Sequence, residues 1–274
     1  MIKSLQSLRF VFALLIFHHH FFLTPQVDQF GLYPVCFFFI LSGFVMAMGW
    51  GDRVLAENFN YRTYLIKRLI RLLPLNLLCL VLSLIMPIIS DLLNNQVSLS
   101  KYIFLPIDVL LLQAFFPIKS IYFSGNAVAW FLSDMLFCYL LFPFIFRWIK
   151  KRNGIMKIAI IPVVYLVLIS FIKEDLVHSL LYISPFFRIV DFILGIIVYE
   201  LVSKVKITNT PSILLTTIEM FAIGISVLVF FVYPIVPVAY TKAALFWLPS
   251  VTIILVFYYS EQSGGGVFCK IAKL

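Results

Sequence analysis

Residues 32–50 read LYPVCFFFILSGFVMAMGW, nineteen residues with no charged side chain. A helix rises about 1.5 Å per residue, so this stretch can cross a hydrocarbon layer about 30 Å thick. Comparable apolar stretches lie near residues 8–24, 72–90, 127–146, 156–172, 180–202, 212–233 and 242–259. The alternating segments typical of a membrane β-barrel do not occur in the sequence. We therefore predict an all-α fold, a polytopic transmembrane helix bundle with about 8–10 spans.

Composition excludes a water-soluble domain and argues against a nucleic-acid partner. The 274 residues are 63% hydrophobic and 12% charged, whereas soluble domains are about half apolar. The formal net charge of +9 is spread over short basic clusters between the apolar stretches, which is the positive-inside pattern of membrane proteins. The lipid bilayer is therefore the expected partner of this surface, and no nucleic acid is expected.

The basic clusters predict a multi-pass protein with a cytoplasmic N-terminus. That orientation makes the loop after residues 32–50 cytoplasmic, and its basic residues are Arg53, Arg62, Lys67, Arg68 and Arg71. Residues 102–117 form a shorter apolar stretch that Pro106 and Asp108 interrupt. A full crossing there would place the later basic clusters outside, so we predict a re-entrant or interfacial segment. The whole chain, 1–274, is predicted to be a single membrane domain.

Arg9 and His20 are the leading candidates for chemistry, because ionisable residues inside a membrane helix are costly and call for an explanation. They are eleven residues apart, which at about 100° per residue returns to within about 20° of one helix face, with a rise of about 16 Å. By the same arithmetic His18 lies on the opposite face and His19 on the side. Histidine is a suitable general base near neutral pH. The alternative is that the histidines are interfacial residues with ordinary hydrogen bonds.

Arg68 and Arg71 form a second candidate site, at the start of the third apolar stretch. Their i, i+3 spacing puts them on one helix face, where they could clamp a phosphate. The alternative is that they anchor the helix by contact with lipid headgroups. Asp134 and the Arg188/Asp191 pair are further ionisable residues within apolar stretches, and the pair is expected to neutralise itself. No metal site is predicted from the spacing of the cysteines.

Five sequence elements, taken in order, resemble the membrane acyltransferase 3 family, whose members acylate bacterial surface sugars. The first resembles the family's arginine, ten residues, histidine pattern, and the others resemble its "FFxLSGF", "RxxRxxP", "WxLS…Y…P" and "P..R..EF..G" helices. In this chain the five elements are Ser7 to His20, Val35 to Phe44, Arg68 to Pro74, Trp130 to Pro143 and Pro185 to Gly195. The resemblance covers nearly the whole chain.

The resemblance implies transfer of an acyl group, usually acetyl, from cytoplasmic acyl-CoA to a hydroxyl of a glycan or lipid-linked sugar outside the membrane. It also implies a location in the bacterial cytoplasmic (inner) membrane. Carried over by position, the essential catalytic histidine is His20 and the arginine required with it is Arg9. Arg68 and Arg71 would lie near the phosphates of the acyl-CoA donor. No metal cofactor is expected.

The sequence departs from the family pattern in three places. Met135 stands where many members have a glutamate, and Asp134 is one position earlier. Asp191 stands in place of the glutamate of the "EF" pair. Family members usually continue into a last helix with a "SYxxYLxH" pattern, which does not occur before Leu274, so we expect a truncated C-terminus.

Three functional hypotheses follow. The first is an O-acyltransferase with His20 as the general base for the acceptor hydroxyl, with an acyl-histidine intermediate left open. The second is a transporter or sugar-lipid flippase, which would also be polytopic and basic on one side but should show inverted halves, and the sequence shows no such symmetry. The third is a catalytically inactive, truncated acyltransferase. The identity of the acceptor, the choice between acetyl and succinyl donors and the oligomeric state are not encoded in these motifs.

Overall fold

A computed structural model describes residues 2–21, 27–94, 103–151, 154–205 and 210–273. These residues are 82% helical and contain no strand, so the all-α prediction is confirmed. Within them lie the α-helices α1 (Lys3–His20), α2 (Gln29–Leu55), α3 (Tyr61–Leu93), α4 (Leu105–Val109), α5 (Lys119–Tyr122), α6 (Trp130–Ile149), α7 (Gly154–Leu168), α8 (Glu174–Leu176), α9 (Pro185–Val202), α10 (Ser212–Val232), α11 (Val238–Ala243), α12 (Trp247–Gln262) and α13 (Val267–Ile271).

The polytopic prediction is also confirmed. Six helical segments in the described part of the chain are long and apolar enough to cross a membrane: Gln29–Leu55, Tyr61–Leu93, Trp130–Ile149, Gly154–Phe171, Ser212–Ile235 and Val238–Gln262. A bent pair, Glu174–Ile183 followed by Pro185–Val202 with an angle of 52°, makes a seventh if it is counted as one span. The predicted first span, 8–24, corresponds to α1, which is not among these six. Residues 22–24 of that span and residue 102 of the predicted 102–117 segment lie outside the described residues.

The segment from Ile103 to Tyr122 does not contain a helix of membrane-spanning length. It consists of α4, a 3₁₀ turn at Gln113–Phe115 and α5. Asp108 is buried, and its carboxylate accepts a hydrogen bond of 2.7 Å from the Ser124 hydroxyl. Burial raises the pKa of the Asp108 carboxyl, and the Ser124 hydrogen bond partly offsets this. This broken geometry agrees with the prediction that the segment does not cross the membrane in full.

The chain forms two compact units. The first unit comprises Met1–Trp50, Asn153–Ile172 and Val190–Leu274, and the second comprises Gly51–Arg152 and Lys173–Ile189. Each unit therefore joins stretches that are far apart in sequence. The single-domain organisation of residues 1–274 stays a prediction.

In the first unit, two glycines bring α2 and α9 into backbone contact. A Cβ placed on Gly43 would lie 1.9 Å from the carbonyl oxygen of Phe192, and a Cβ on Gly195 would lie 1.9 Å from that of Ile40. Any side chain at either position would therefore overlap the partner backbone. Small residues at such crossings are a common means of packing membrane helices, because they let the backbones approach closely.

In the second unit, α3 packs on α6 through tyrosine hydroxyls. Tyr64 donates a hydrogen bond of 2.8 Å to the carbonyl oxygen of Tyr139, and Tyr61 donates one of 3.1 Å to that of Leu140. The start of α3 is fixed by Asn60, whose side-chain oxygen accepts a 3.0 Å hydrogen bond from the Thr63 amide, as expected of an N-cap residue. These contacts hold the start of α3, which carries Arg68 and Arg71.

Candidate active site

The aromatic side chain of Phe12 packs the middle of helix α1 against α2 in the first unit. Phe12 is buried, stacks on Phe37 of α2 with ring centroids 3.9 Å apart, and meets Tyr33 edge-on at 4.9 Å. Tyr33 is held in turn by a 2.8 Å hydrogen bond with the Ser226 hydroxyl. Phe12 is three residues after Arg9, so it lies about 60° around the helix from Arg9. The Arg9 and His20 stripe therefore borders the buried face of α1.

Arg9 and His20 lie on one continuous helix, so the predicted stripe applies to the folded chain. Arg9 is half-buried and His20 is exposed. The regular rise of an α-helix separates their Cα atoms by about 16 Å. A coenzyme or its acyl arm could span such a distance, whereas the two side chains are too far apart to share one reacting atom.

The His20 ring has a defined hydrogen-bond partner. Its Nδ1 atom lies 2.9 Å from the carbonyl oxygen of Ile16, one helical turn earlier. A carbonyl oxygen can only accept a hydrogen bond, so this geometry assigns the ring proton to Nδ1. The lone pair is then on Nε2, which is the atom that can take a proton from a substrate.

His18 and His19 have different surroundings from His20. The His18 ring meets Phe30 edge-on at 5.2 Å. His19 is half-buried against α2: its Nδ1 lies 3.3 Å from the Val27 carbonyl oxygen, and a Cβ on Gly31 would lie 2.8 Å from its ring. Both neighbours therefore pack against the helix that follows, in accord with the interfacial alternative for these two histidines.

Arg68 and Arg71 lie in the second unit and differ in exposure. Arg68 is 7% exposed, and its guanidinium carbon is 5.5 Å from the centre of the Tyr64 ring and 5.6 Å from that of Tyr139. Both distances are within the range of cation–π attraction. Arg71 is exposed. The two tyrosines therefore hold the Arg68 guanidinium at the start of α3, while Arg71 extends from the surface one turn later.

Asp134, Arg188 and Asp191, the further ionisable residues within apolar stretches, are all buried. Asp134 has no exposed surface. The Nε of Arg188 donates a 2.9 Å hydrogen bond to the Tyr182 carbonyl oxygen, and the guanidinium lies 4.8 Å from the Tyr182 ring centre. Asp191 accepts a hydrogen bond from the Trp247 indole nitrogen. Each member of the predicted Arg188/Asp191 pair thus has a structural partner of its own, and mutual neutralisation stays a prediction.

Glu219 is a buried carboxylate that is not among the site residues predicted from sequence. It lies in the middle of α10 and has no exposed surface. It is the only acidic residue of the apolar stretch 212–233, and a lone charge in such a stretch is a signal that could have identified it. Among the described residues, no group of three or more His, Cys, Asp or Glu side chains is arranged to hold a metal ion.

Comparison with known proteins identifies the family of this chain. No curated protein and no solved structure was found to match the chain. The sequence model of the acyltransferase 3 family, described as an acyltransferase domain, matches residues 2–273. The match includes both units and all four candidate residues, Arg9, His20, Arg68 and Arg71. By this match over almost its entire length, the chain belongs to the acyltransferase 3 family.

Proposed function

We propose that this protein is an O-acyltransferase that moves an acetyl group from cytoplasmic acetyl-CoA to a hydroxyl of an extracytoplasmic glycan or lipid-linked sugar. Family membership supports acyl transfer and favours it over transport. The observation that carries the assignment of the base is the hydrogen bond between His20 Nδ1 and the Ile16 carbonyl oxygen. The protein would act in the bacterial cytoplasmic membrane with its N-terminus in the cytoplasm.

In this proposal His20 is the general base. Its Nε2 takes the proton of the acceptor hydroxyl as the hydroxyl oxygen forms a bond to the thioester carbonyl carbon. The carbon–sulfur bond then breaks, and the proton on Nε2 passes to the departing thiolate to give free coenzyme A. The Ile16 carbonyl oxygen supports this role, because it stabilises the imidazolium that forms while the proton is held.

In this proposal the arginines bind the acyl-CoA donor. Arg9 lies on the His20 face of α1, about 16 Å along the helix, and would bind coenzyme A or orient the surroundings of His20. Arg68 and Arg71 would bind the phosphates of coenzyme A, because guanidinium groups form bidentate charge-assisted hydrogen bonds with phosphate oxygens. The rings of Tyr64 and Tyr139 support this role, because they hold the Arg68 guanidinium in place while its N–H groups can still be directed at a phosphate.

Turnover of acetyl-CoA by the purified protein in lipid nanodiscs, with and without a glycan acceptor, tests this function. We expect His20→Ala to lower turnover by about 10²-fold or more, the usual contribution of a general base. His18→Ala is the matched control, because His18 is an exposed neighbour whose ring contacts Phe30. Equal turnover in wild type and His20→Ala would overturn the role of His20 as the base. No turnover in either protein would favour the transporter hypothesis or the inactive, truncated acyltransferase.

A further inference from the structure

Glu219 holds the short helix that follows the last apolar segment. Its Oε1 atom accepts hydrogen bonds from the Ser260 hydroxyl and, at 3.1 Å, from the Gly266 amide. Its Oε2 atom accepts from the Phe268 amide at 2.9 Å and from the Cys269 amide at 3.2 Å. These amides belong to the first turn of α13, where backbone N–H groups have no partner within the helix. A buried carboxylate on α10 therefore caps α13.

The chain between α12 and α13 is shaped to reach this carboxylate. Gly264 and Gly265 have φ angles of +102° and +82°, a region that favours glycine. A Cβ on Gly266 would lie 2.6 Å from the Glu219 carboxylate, so any larger residue would push the carboxylate away. Thr216, one turn before Glu219, accepts a 3.1 Å hydrogen bond from the Val267 amide. We name residues 264–273, held by Glu219 in this way, the C-terminal bracket.

The C-terminal bracket also contacts the start of α1. The Ser7 hydroxyl donates a hydrogen bond to the Ala272 carbonyl oxygen. Beside it, Glu261 at the end of α12 accepts hydrogen bonds from the first two amides of α1, Lys3 at 3.0 Å and Ser4 at 2.8 Å. These hydrogen bonds join the start of α1 to α12 and to the C-terminal bracket, and Ser7 is two residues before Arg9.

We propose that Glu219 is a positioning residue for α1: by capping α13 it holds the C-terminal bracket against α1 and so sets the depth and rotation of the helix that carries Arg9 and His20. All of these contacts lie within the first unit. Because Arg9 and His20 share one rigid helix, a rotation at Ser7 displaces both side chains. The kinetic consequence rests on the function proposed above, whereas the displacement of α1 does not.

Cys269 offers a reporter of the bracket that is independent of activity. It has no exposed surface, and burial raises the pKa of its thiol, so both access and ionisation limit its reaction with a maleimide. A background with alanine at Cys36, Cys79 and Cys138 leaves Cys269 as the single thiol. Replacing Cys269 by alanine as well and adding Ser4→Cys gives a second reporter on α1, because Ser4 is also fully buried.

Glu219→Gln and Gly266→Ala disturb the cap from opposite sides. In Glu219→Gln the side chain keeps its shape, but the NH₂ group then faces a backbone N–H donor instead of accepting from it. In Gly266→Ala the new Cβ displaces the Glu219 carboxylate. We expect both changes to speed maleimide labelling at Cys269 and at the Ser4→Cys thiol by about tenfold or more, as hydrogen bonds to a charged group are lost. We also expect the KM for acetyl-CoA to rise by about fivefold or more, with kcat changing less.

Glu57→Gln is the matched control, because Glu57 is exposed and lies in the second unit; it should leave both labelling rates and the KM unchanged. Faster labelling of Cys269 alone, with the Ser4→Cys thiol still protected, would show that the bracket does not hold α1 and would overturn the inference. An unchanged KM alongside faster labelling at both sites would overturn the kinetic part. The proposed function fails on a different result, equal turnover in wild type and His20→Ala.

Discussion

At the scale of single residues, Arg68 is the candidate whose surroundings say most about its role. It is almost fully buried, yet its guanidinium lies between two tyrosine rings at 5.5 and 5.6 Å. A planar guanidinium can stack on an aromatic ring and still direct N–H groups at a phosphate, whereas an ammonium group is a more strongly hydrated point charge. Charge alone is therefore not a sufficient description of this position.

Arg68→Lys should weaken coenzyme A binding even though the charge is kept. We expect the dissociation constant to rise by about tenfold, or about 1.4 kcal/mol, because the bidentate and stacking contacts are lost. Equilibrium binding of coenzyme A to the detergent-solubilised protein measures this. Arg62→Lys is the control in the same helix, since Arg62 is exposed, and it should bind as wild type does. Equal affinities for the two variants would favour the headgroup-anchor alternative.

The three histidines show how far sequence can predict a site. Helical phase separates His20 from its neighbours, because period and rise are fixed by backbone geometry. Sequence does not indicate that His19 packs on Gly31, or that His18 meets Phe30, because these contacts depend on how α1 meets α2. The tautomer of His20 likewise requires the position of the Ile16 carbonyl oxygen relative to the ring.

At the scale of helices, the crossing of α2 and α9 depends on two glycines. Gly43 and Gly195 each face a partner carbonyl oxygen at a distance that leaves no room for a Cβ. The resemblance includes both positions within family patterns, but the patterns do not say that the two helices touch. In the structure the backbones of α2 and α9 approach closely at these two positions, and this close approach is the physical reason for glycine at both.

Gly43→Ala or Gly195→Ala should therefore destabilise the first unit by about 1–3 kcal/mol, the usual cost of overpacking. The backbone is the obstacle on both sides, so rotamer changes cannot relieve the overlap. Thermal unfolding in a mild detergent measures the loss as a lower Tm. Gly49→Ala and Gly224→Ala are matched controls, since a Cβ at either position meets nothing within 4 Å, and alanine is the better helix former. A fall in Tm for the controls as large as for Gly43→Ala would contradict this account.

At the scale of the whole molecule, the bilayer explains why the spans were predictable and their partners were not. A hydrocarbon layer sets a minimum length for each apolar helix, so the stretches around 32–50 and 212–233 mark spans without knowledge of the fold. The amides of Lys3 and Ser4 bind Glu261, more than 250 residues away. No local pattern encodes such a contact. The two compact units and the α13 cap on Glu219 belong to the same class of long-range information.

Orientation in the membrane is a property of the whole chain, and cysteines placed at three exposed positions of the second unit can test it. Glu57 lies between α2 and α3, Val128 precedes α6, and Lys150 follows it. With a cytoplasmic N-terminus and a segment at 102–117 that does not cross, Glu57 and Lys150 are cytoplasmic and Val128 is outside. We expect an impermeant maleimide to label intact spheroplasts carrying Val128→Cys in a cysteine-free background, and Glu57→Cys or Lys150→Cys only after permeabilisation. Labelling of Lys150→Cys in intact spheroplasts, with Glu57→Cys still protected, would mean that residues 102–117 cross the membrane and would place the basic cluster around Lys150 outside.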